Sequence, residues 1–353
     1  MKTFSEYTKS KDHSIKESAA PRHTLFPRDK EELKRMIKDE IAKQGNNADL
    51  NHINVRGITD FSSLFDHSSF DGDISRWDVS NAKDMRYMFK YADSFNQDIS
   101  GWDISNVENM HGMFEFAKSF NQDLSGWDVS KVKYMGEMFW GASRFNGDIS
   151  TWDVRNVIDM SGMFAHSAFN GNLKRWNTKS AKNMSSMFTG CKTFNKDISR
   201  WDVSNVKEMR GMFAGAESFN GDLSDWDVSN VEDMRYMFSE CKEFNQDLSN
   251  WSTKNVKDMS SMFNKCIKFN QDLSRWDVSN VKGMACMFFD CRKFNQDISS
   301  WDVSNVLDMF GMFRYAEAFI QDISSWNVSN VRDRGDVFDS CPCPAKYRPK
   351  FSK

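Results

Sequence analysis

Side chains that could bind a metal ion recur at a fixed interval in this 353-residue chain. Asp98 and Asp103, for example, return 25 residues later as Asp123 and Asp128. Carboxylates stacked about 5 Å apart repel one another unless backbone N–H groups, cations or solvent compensate. We expect them to bind nearby backbone N–H groups in turns and caps. The alternative is a ladder of calcium sites, since oxygen ligands suit that ion, but the calcium repeat motif G-G-x-G-x-D is absent and no cofactor is predicted.

The cysteines are the next candidates for chemistry. Five of the seven share one place in the repeat, where other copies carry alanine: Cys191, Cys241, Cys266, Cys291 and Cys341. A position that accepts alanine or cysteine requires a small apolar side chain, which predicts buried structural thiols. An oxidised pair among the three on consecutive repeats is the alternative. Cys341-x-Cys343 has the wrong spacing for a zinc knuckle and has no partner pair.

Catalytic signatures do not stand out from the repeat background. The six histidines form no H-x-x-x-H pair, and we find no phosphate-binding glycine loop, nucleophile elbow or acid pair. An enzyme needs singular residues, whereas this chain is built of recurrent ones. The sequence therefore predicts a protein that is not an enzyme.

All these residues belong to one repeated unit, F-N-x-D-[I/L]-S-x-W-D-V-S-N-V-x-x-M-x-x-M-F-x-x-[A/C]-x-x. We number its positions from the first phenylalanine as 1. That phenylalanine occurs at Phe70, Phe95, Phe120, Phe145, Phe169, Phe194, Phe219, Phe244, Phe269, Phe294 and Phe319. Every step is 25 residues except the 24 from Phe145 to Phe169. Such a period is typical of stacked repeat proteins, whose single units cannot bury an apolar face alone.

Two local patterns predict the secondary structure of a coil. Apolar residues at positions 13, 16, 19/20 and 23 have the spacing of a short helix, and positions 4–10 favour a short strand. The fold class predicted is α/β: a repeat solenoid of about twelve coils, each with one short strand and one short helix. Stacking would place like residues on like, including the tryptophans at position 8, from Trp77 to Trp326.

Four segments are predicted along the chain: a disordered tail at 1–25, a capping helix at 26–48, the solenoid at 49–338, and a C-terminal cap and tail at 339–353. The solenoid begins with a degenerate coil at 49–69, and eleven coils follow from residue 70. Asp29 and Glu32 have capping-box spacing, and Gly45 suits the end of the capping helix. The one-residue deletion between Met163 and Phe169 predicts a local bend or a more mobile joint.

The unit resembles the repeat of BspA-like bacterial surface proteins, a branch of the leucine-rich-repeat group. The resemblance covers Asp49 to Phe338 and includes the motif F-N-Q-D-L-S-x-W-D-V-S-N-V-x-x-M-x-x-M-F-x-x-C. The flanks "KEELKRMIKDEIAKQGNNADLNHINV" and "CPCPAKYRPKF" are similar to those of that family too. The resemblance implies a leucine-rich-repeat-like solenoid, a location at the cell surface or in the medium, and a role in adhesion or host interaction.

Charge and hydropathy restrict the partners. The net charge of −3 gives no overall basic footprint for nucleic acid. No run of about 18 apolar residues predicts a membrane span, and the first residues lack the apolar core of a secretory signal. The chain is thus expected to be cytoplasmic or exported by a route without a signal peptide. We predict a monomer that binds a protein or a glycan, with an intracellular scaffold for a cytosolic protein as the alternative.

Variable outward positions carry unexpected aromatic residues, which are the candidate partner-binding residues. They are Tyr87, Tyr91, Phe116, Tyr134, Trp140, Phe289, Phe310 and Tyr315. Trp140 is the one tryptophan of twelve outside position 8, so the repeated core does not explain it. We predict that it is the most exposed large side chain of the patch and that it anchors the partner.

Overall fold

The computed structural model describes residues 23–351 of the chain. Within that part it contains one α-helix, α1 (Lys30–Gln44), and one 3-10 helix (Ala345–Tyr347). Turns and loops make up the repeats, and neighbouring coils are joined by isolated parallel β-bridges at position 15, from Asp60–Asp84 to Asp308–Asp333. The predicted α/β solenoid with a strand and a helix in each coil is therefore wrong, because the repeats described form no sheet and no helix.

Two consecutive turns replace the predicted helix at positions 16–23. In the coil of Phe70, Met88 N–H donates to the carbonyl of Met85 at 3.2 Å, and Ala92 N–H donates to Phe89 at 3.0 Å. These bonds span three residues rather than the four of an α-helix. The third residue of each turn has positive φ, 57° at Tyr87 and 53° at Tyr91. Positions 18 and 22 have positive φ in the coils that follow as well.

Bonds between coils explain why the turns prevail. Backbone N–H groups at positions 16, 18, 20 and 22 donate to carbonyls of the next coil. For the coil of Phe70 the donor–acceptor pairs are Met85–Asn109, Tyr87–His111, Phe89–Met113 and Tyr91–Glu115, at 2.8–2.9 Å. A helix would direct these N–H groups along its own axis, so a coil cannot form it and also bond its neighbour. The apolar spacing is the same for both conformations, and stacking decides between them.

Columns of identical aromatic side chains form the core. Phe194 stacks on Phe219 of the next coil, with ring centroids 6.0 Å apart, and Trp201 stacks on Trp226 at 6.4 Å. The indole N–H of Trp201 donates to the carbonyl of Leu173 at 3.1 Å. The same bond from position 8 to position 5 of the preceding coil recurs from Trp77 to Trp326. The prediction that stacking places like on like is confirmed.

The recurrent polar residues bind the backbone. Asp98 Oδ1 accepts the N–H of Ser100 at 2.9 Å, and Asp103 Oδ1 accepts that of Ser105 at 3.0 Å. Asparagines join adjacent coils, since Asn96 Oδ1 accepts the N–H of Asn121 at 2.9 Å. The first of the two readings of the aspartates, as turn and cap residues, is confirmed by these bonds.

α1 covers the N-terminal end of the stack. Asp29 accepts the N–H of Glu32 at its start, and the N–H of Gly45 (φ 84°) donates to Ile41 at its end. Leu33 and Ile37 of α1 are buried in the same core as the first coils. The tail predicted to be disordered falls largely outside the described residues, at 1–22. Leu25, at its end, forms a parallel bridge with Ile53.

The C-terminal segment covers the other end. The carbonyl of Tyr347 accepts the N–H of Ile323 at 2.9 Å. The guanidinium of Arg348 lies 4.9 Å from the ring centroid of Phe338, and Cys343 is buried. Both ends of the apolar core are thus covered by segments of different sequence from the repeat.

The shortened coil stacks as its neighbours do. Phe145 and Phe169 lie 6.0 Å apart, and Trp176 lies 6.3 Å from Trp152 and 6.2 Å from Trp201. Ser167 holds the shortened connection together, because its hydroxyl donates to Phe164 O at 2.7 Å and accepts the N–H of Phe169. These contacts do not show the bend that the deletion predicts.

Candidate functional site

Side chains at positions 15, 17, 18, 21 and 22 form one surface of the stack, which we call the turn face. The intervening positions 16, 19, 20 and 23 point into the core, as Met110, Met113, Phe114 and Ala117 do. The backbone of the turn face is held by the bonds between coils, so its side chains stand on a fixed support. All the exposed large aromatic residues of the described repeats lie on this face: Tyr91, Tyr134, Tyr236, Phe310 and Tyr315.

The first coils carry the densest aromatic cluster. Tyr91 stacks on Phe116 with ring centroids 4.8 Å apart and planes 5° from parallel, and His67 lies 4.5 Å from Tyr91 on the other side. These three residues occupy position 22 of consecutive coils. Tyr87 meets His111 edge to face at 5.2 Å. The structure therefore brings together four of the predicted residues, since Tyr134 lines the same surface as Tyr87.

Glycines of the following coil make room for these rings. A Cβ on Gly112 would lie 2.4 Å from the ring of Tyr87, and one on Gly141 would lie 2.4 Å from the ring of Phe116. Such distances require glycine, because real Cβ atoms do not approach so closely. Each ring thus packs against a glycine of the following coil. An aromatic residue followed by glycine one repeat later is the sequence signal for this arrangement.

The structure corrects the prediction for Trp140, which packs against Gly162 at position 18 of the following coil rather than against a glycine at its own position 21. Its ring would be 2.6 Å from a Cβ on Gly162, and its centroid lies 6.1 Å from that of His166. The side chain is half-buried, whereas Tyr134 is 42% exposed and Tyr91 is 37% exposed. Trp140 is therefore not the most exposed large side chain of the patch.

A groove of about 360 Å³ crosses three consecutive coils beside this cluster. We call it the Tyr134 groove; it is lined by Arg86, Tyr87, Asn109, His111 and Tyr134. Of these, only the two tyrosines are among the predicted partner-binding residues. Asn109 and His111 were missed because a helix predicted within one coil does not show which residues of the adjacent coils lie beside it.

Each basic side chain around the groove lies beside a carboxylate. Arg86 Nε is 3.1 Å from Asp84, and His111 Nε2 is 3.5 Å from Glu137. Lys90 Nζ is 2.7 Å from Glu115 and 4.7 Å from the ring centroid of Tyr87. Partial burial disfavours the charged ammonium, but the hydrogen bond and the charge of Glu115 outweigh it and raise the pKa of Lys90. Burial, with the charge of Glu137, raises the pKa of Tyr87.

The later coils carry a second, looser aromatic cluster. Phe289 meets Tyr315 edge to face at 5.5 Å, and the guanidinium of Arg314 lies 5.1 Å from the Tyr315 ring. Phe310 lies over Gly335, where a Cβ would be 3.0 Å from its ring. Tyr236, 41% exposed, stands on the turn face between the two clusters and was missed. It shares position 18 with Tyr87, and this shared position could have identified it.

The cysteines described are free thiols rather than disulfides. Cys241, Cys266 and Cys291 are buried, and each Sγ donates to the carbonyl of a position-20 phenylalanine in the preceding coil, at 2.7–2.9 Å. Burial raises the pKa of Cys191 to about 12. This environment fits the prediction of structural thiols. Among residues 23–351, no group of three or more His, Cys, Asp or Glu side chains is placed to hold a metal ion.

The chain matches the model of the family described as "Mycoplasma protein of unknown function, DUF285". The match spans residues 31–152, 165–260 and 233–347, which is most of the chain. The chain belongs to this family. The match supports a repeat protein, but it does not extend to the BspA-like resemblance.

No curated protein matches the chain. No helix of the DUF285 protein within residues 23–351 is long and apolar enough to cross a bilayer.

Proposed function

We propose that this DUF285 protein is a non-enzymatic binding protein whose turn face contacts a protein or a glycan. The observation that carries the proposal is the restriction of exposed aromatic residues in the repeats to one face. Exposed rings gathered on one surface are typical of contact sites, whereas single exposed rings are common everywhere. Adhesion, which the BspA-like resemblance implies, is the form of binding we propose.

The rigidity of the support favours this function. Tyr91 and Phe116 are each fixed by a backbone bond to the next coil, Tyr91 N to Glu115 O at 2.8 Å and Phe116 N to Trp140 O at 2.6 Å. Their rings are further held by stacking on each other. A side chain that is already ordered loses less conformational entropy when a partner binds. The cluster is therefore suited to act as a binding hot spot.

Substitutions by the residue that other coils carry at the same position give a test of the proposal. Tyr91→Gly and Phe116→Gly place at position 22 the glycine already found at Gly141 and Gly190, where φ is positive. We expect the double variant to fold, because glycine tolerates this conformation best. Pull-downs from host extracellular matrix and from lysate of the producing cell, quantified by mass spectrometry, would then compare capture by the full-length proteins.

We expect the double variant to capture at least tenfold less of any partner that the unaltered protein captures. Phe26→Ala is the matched control, because Phe26 is 61% exposed but lies outside the repeats. It should leave capture unchanged. Equal capture by the double variant and the unaltered protein would refute the proposed role of the aromatic cluster.

A further inference from the structure

Tyr134 departs from the rule that governs position 15. Nine of the twelve coils carry Asp or Asn there, and in each of those the side chain accepts the N–H of position 17, as Asp84 and Asn109 do. The hydroxyl of Tyr134 lies beyond a phenyl ring and cannot make this short turn bond. The coil therefore gives up a local hydrogen bond and gains a ring that is 42% exposed. Nothing in the core requires the exchange.

The ring of Tyr134 stands in a groove that also offers hydrogen-bonding groups. Asn109 accepts the N–H of His111 with its amide oxygen at 3.1 Å. Its amide nitrogen donates to no group within residues 23–351 and remains for a ligand. Arg86 uses Nε toward Asp84, at 3.1 Å, and the guanidinium has further N–H donors. An aromatic face with polar groups at its rim is what a pyranose ring requires, since it presents C–H groups on a face and hydroxyls around its edge.

The charge and the volume of the groove restrict the class of ligand further. Arg86 and His111 each lie beside a carboxylate, Asp84 and Glu137 respectively. The groove thus has no unneutralised cation to attract a phosphate, a sulfate or an acidic sugar. Its volume of about 360 Å³ accommodates one or two sugar rings rather than a folded protein surface.

We infer that the Tyr134 groove binds a neutral saccharide, with a sugar ring on the Tyr134 ring and its hydroxyls bonded by Asn109 and Arg86. This inference rests on the proposed function and names the ligand class for one part of the turn face. The aromatic cluster of Tyr91 and Phe116 lies beside the groove and is not required for it.

The test is a printed array of neutral and acidic oligosaccharides probed with the labelled full-length protein, followed by calorimetric titration with the neutral oligosaccharide bound best. We expect binding to neutral oligosaccharides and a loss of at least tenfold in affinity for Tyr134→Asn. That variant restores the repeat consensus and the turn bond, so it should melt at the same temperature or higher. Tyr134→Phe retains the ring and should keep most of the affinity. Phe26→Ala removes an exposed ring outside the repeats and should leave the affinity unchanged.

Three results would overturn the inference: no oligosaccharide bound, acidic oligosaccharides alone bound, or equal affinity for Tyr134→Asn. The proposed function is judged separately. If no oligosaccharide binds but Tyr91→Gly with Phe116→Gly still abolishes capture of a protein, the turn face is a protein-binding surface and only the saccharide is wrong. If neither effect occurs, both fail.

Discussion

Replacing the tryptophan at the middle of the stack tests the physical basis of the fold. Trp201 is 3% exposed, and its ring lies 6.2 Å from Trp176, 6.4 Å from Trp226 and 6.1 Å from Phe188. Trp201→Ala would leave a cavity walled by rings that are themselves held by the next coils. Because such walls relax little, we expect a cost of about 4–5 kcal/mol in the free energy of unfolding, the upper part of the range for buried aromatics.

A second variant separates packing from hydrogen bonding. Trp201→Phe keeps an aromatic ring in the column but removes the indole N–H, which donates to Leu173 O at 3.1 Å. The carbonyl of Leu173 keeps its second donor, the backbone N–H of Trp176 at 3.1 Å, so the loss of the indole bond costs about 0.5–1.5 kcal/mol. Urea unfolding of the full-length proteins, followed by circular dichroism, gives both free energies. If the two variants were equally destabilised, the cavity argument would be wrong.

The location of the damage is the sharper measurement. Coils contact only their neighbours, so Trp201→Ala should raise hydrogen exchange in the middle coils before the ends. Trp326→Ala is the matched control, since Trp326 stacks on Trp301 at 6.2 Å in the last coil. It should affect the C-terminal coils alone and cost less. Uniform loss of protection in both variants would refute nearest-neighbour coupling.

Three further predictions follow from the glycines, the N-terminal cap and the carboxylates. Gly141→Ala should lower the free energy of unfolding, measured with urea, by about 1–3 kcal/mol. The φ of Gly141 is 66°, and a Cβ there would lie 2.4 Å from the ring of Phe116 in the preceding coil. Gly126→Ala is the control and should change the free energy little, because the nearest atom to its Cβ would be 3.7 Å away. Deleting residues 1–48 should cause aggregation, measured by light scattering, because it uncovers the first coil, whereas deleting 1–22 should not; equal behaviour would argue against the cap. A hydrogen bond from Lys174 lowers the pKa of Asp197 to about 2 in the folded protein, whereas an aspartate in the unfolded chain has a pKa of about 3.9. The ionised Asp197 therefore stabilises the fold above about pH 3.9, and this stabilisation is lost as the pH falls toward 2. Unfolding free energies between about pH 5 and about pH 2.5 should therefore fall less steeply in Asp197→Asn, and identical slopes would contradict the assignment.

The candidate site could be predicted from sequence only in part. Aromatic residues at variable positions pointed to the coils in which the structure groups these rings, because an aromatic residue that breaks a repeat has no structural reason in the repeat itself. The orientation of those rings could not be predicted, since it depends on residues one coil away. Gly162 leaves room for the ring of Trp140, which is half-buried. Asn109 and His111 became groove residues only once stacking placed them beside Tyr87 and Tyr134.

What the sequence by itself determined was the period, the composition of the core and the role of the small polar residues. A 25-residue repeat that cannot bury its own apolar face must stack, and stacking in register makes columns of whatever recurs. The buried columns of Phe and Trp, the aspartates bonded to N–H groups two residues on, and the buried thiols all follow from residue type and position. These are properties of one unit multiplied along the chain.

Only the tertiary structure decided the path of the backbone. The spacing at positions 16, 19, 20 and 23 fits a helix and a pair of turns equally well, and the choice depends on where the N–H groups find carbonyls. A helix over residues 110–117 would satisfy these N–H groups within the same segment. In the stack, Met110 N–H donates to Tyr134 O at 2.9 Å and Gly112 N–H to Gly136 O at 2.8 Å. Each such bond requires a neighbouring coil, so the conformation of every repeat is set by the repeat beside it. The sequence carries one sign of this backbone path, the glycines at position 18, which all have positive φ: Gly112, Gly162 and Gly211. Glycine is disfavoured inside a helix but favoured at a left-handed position of a turn.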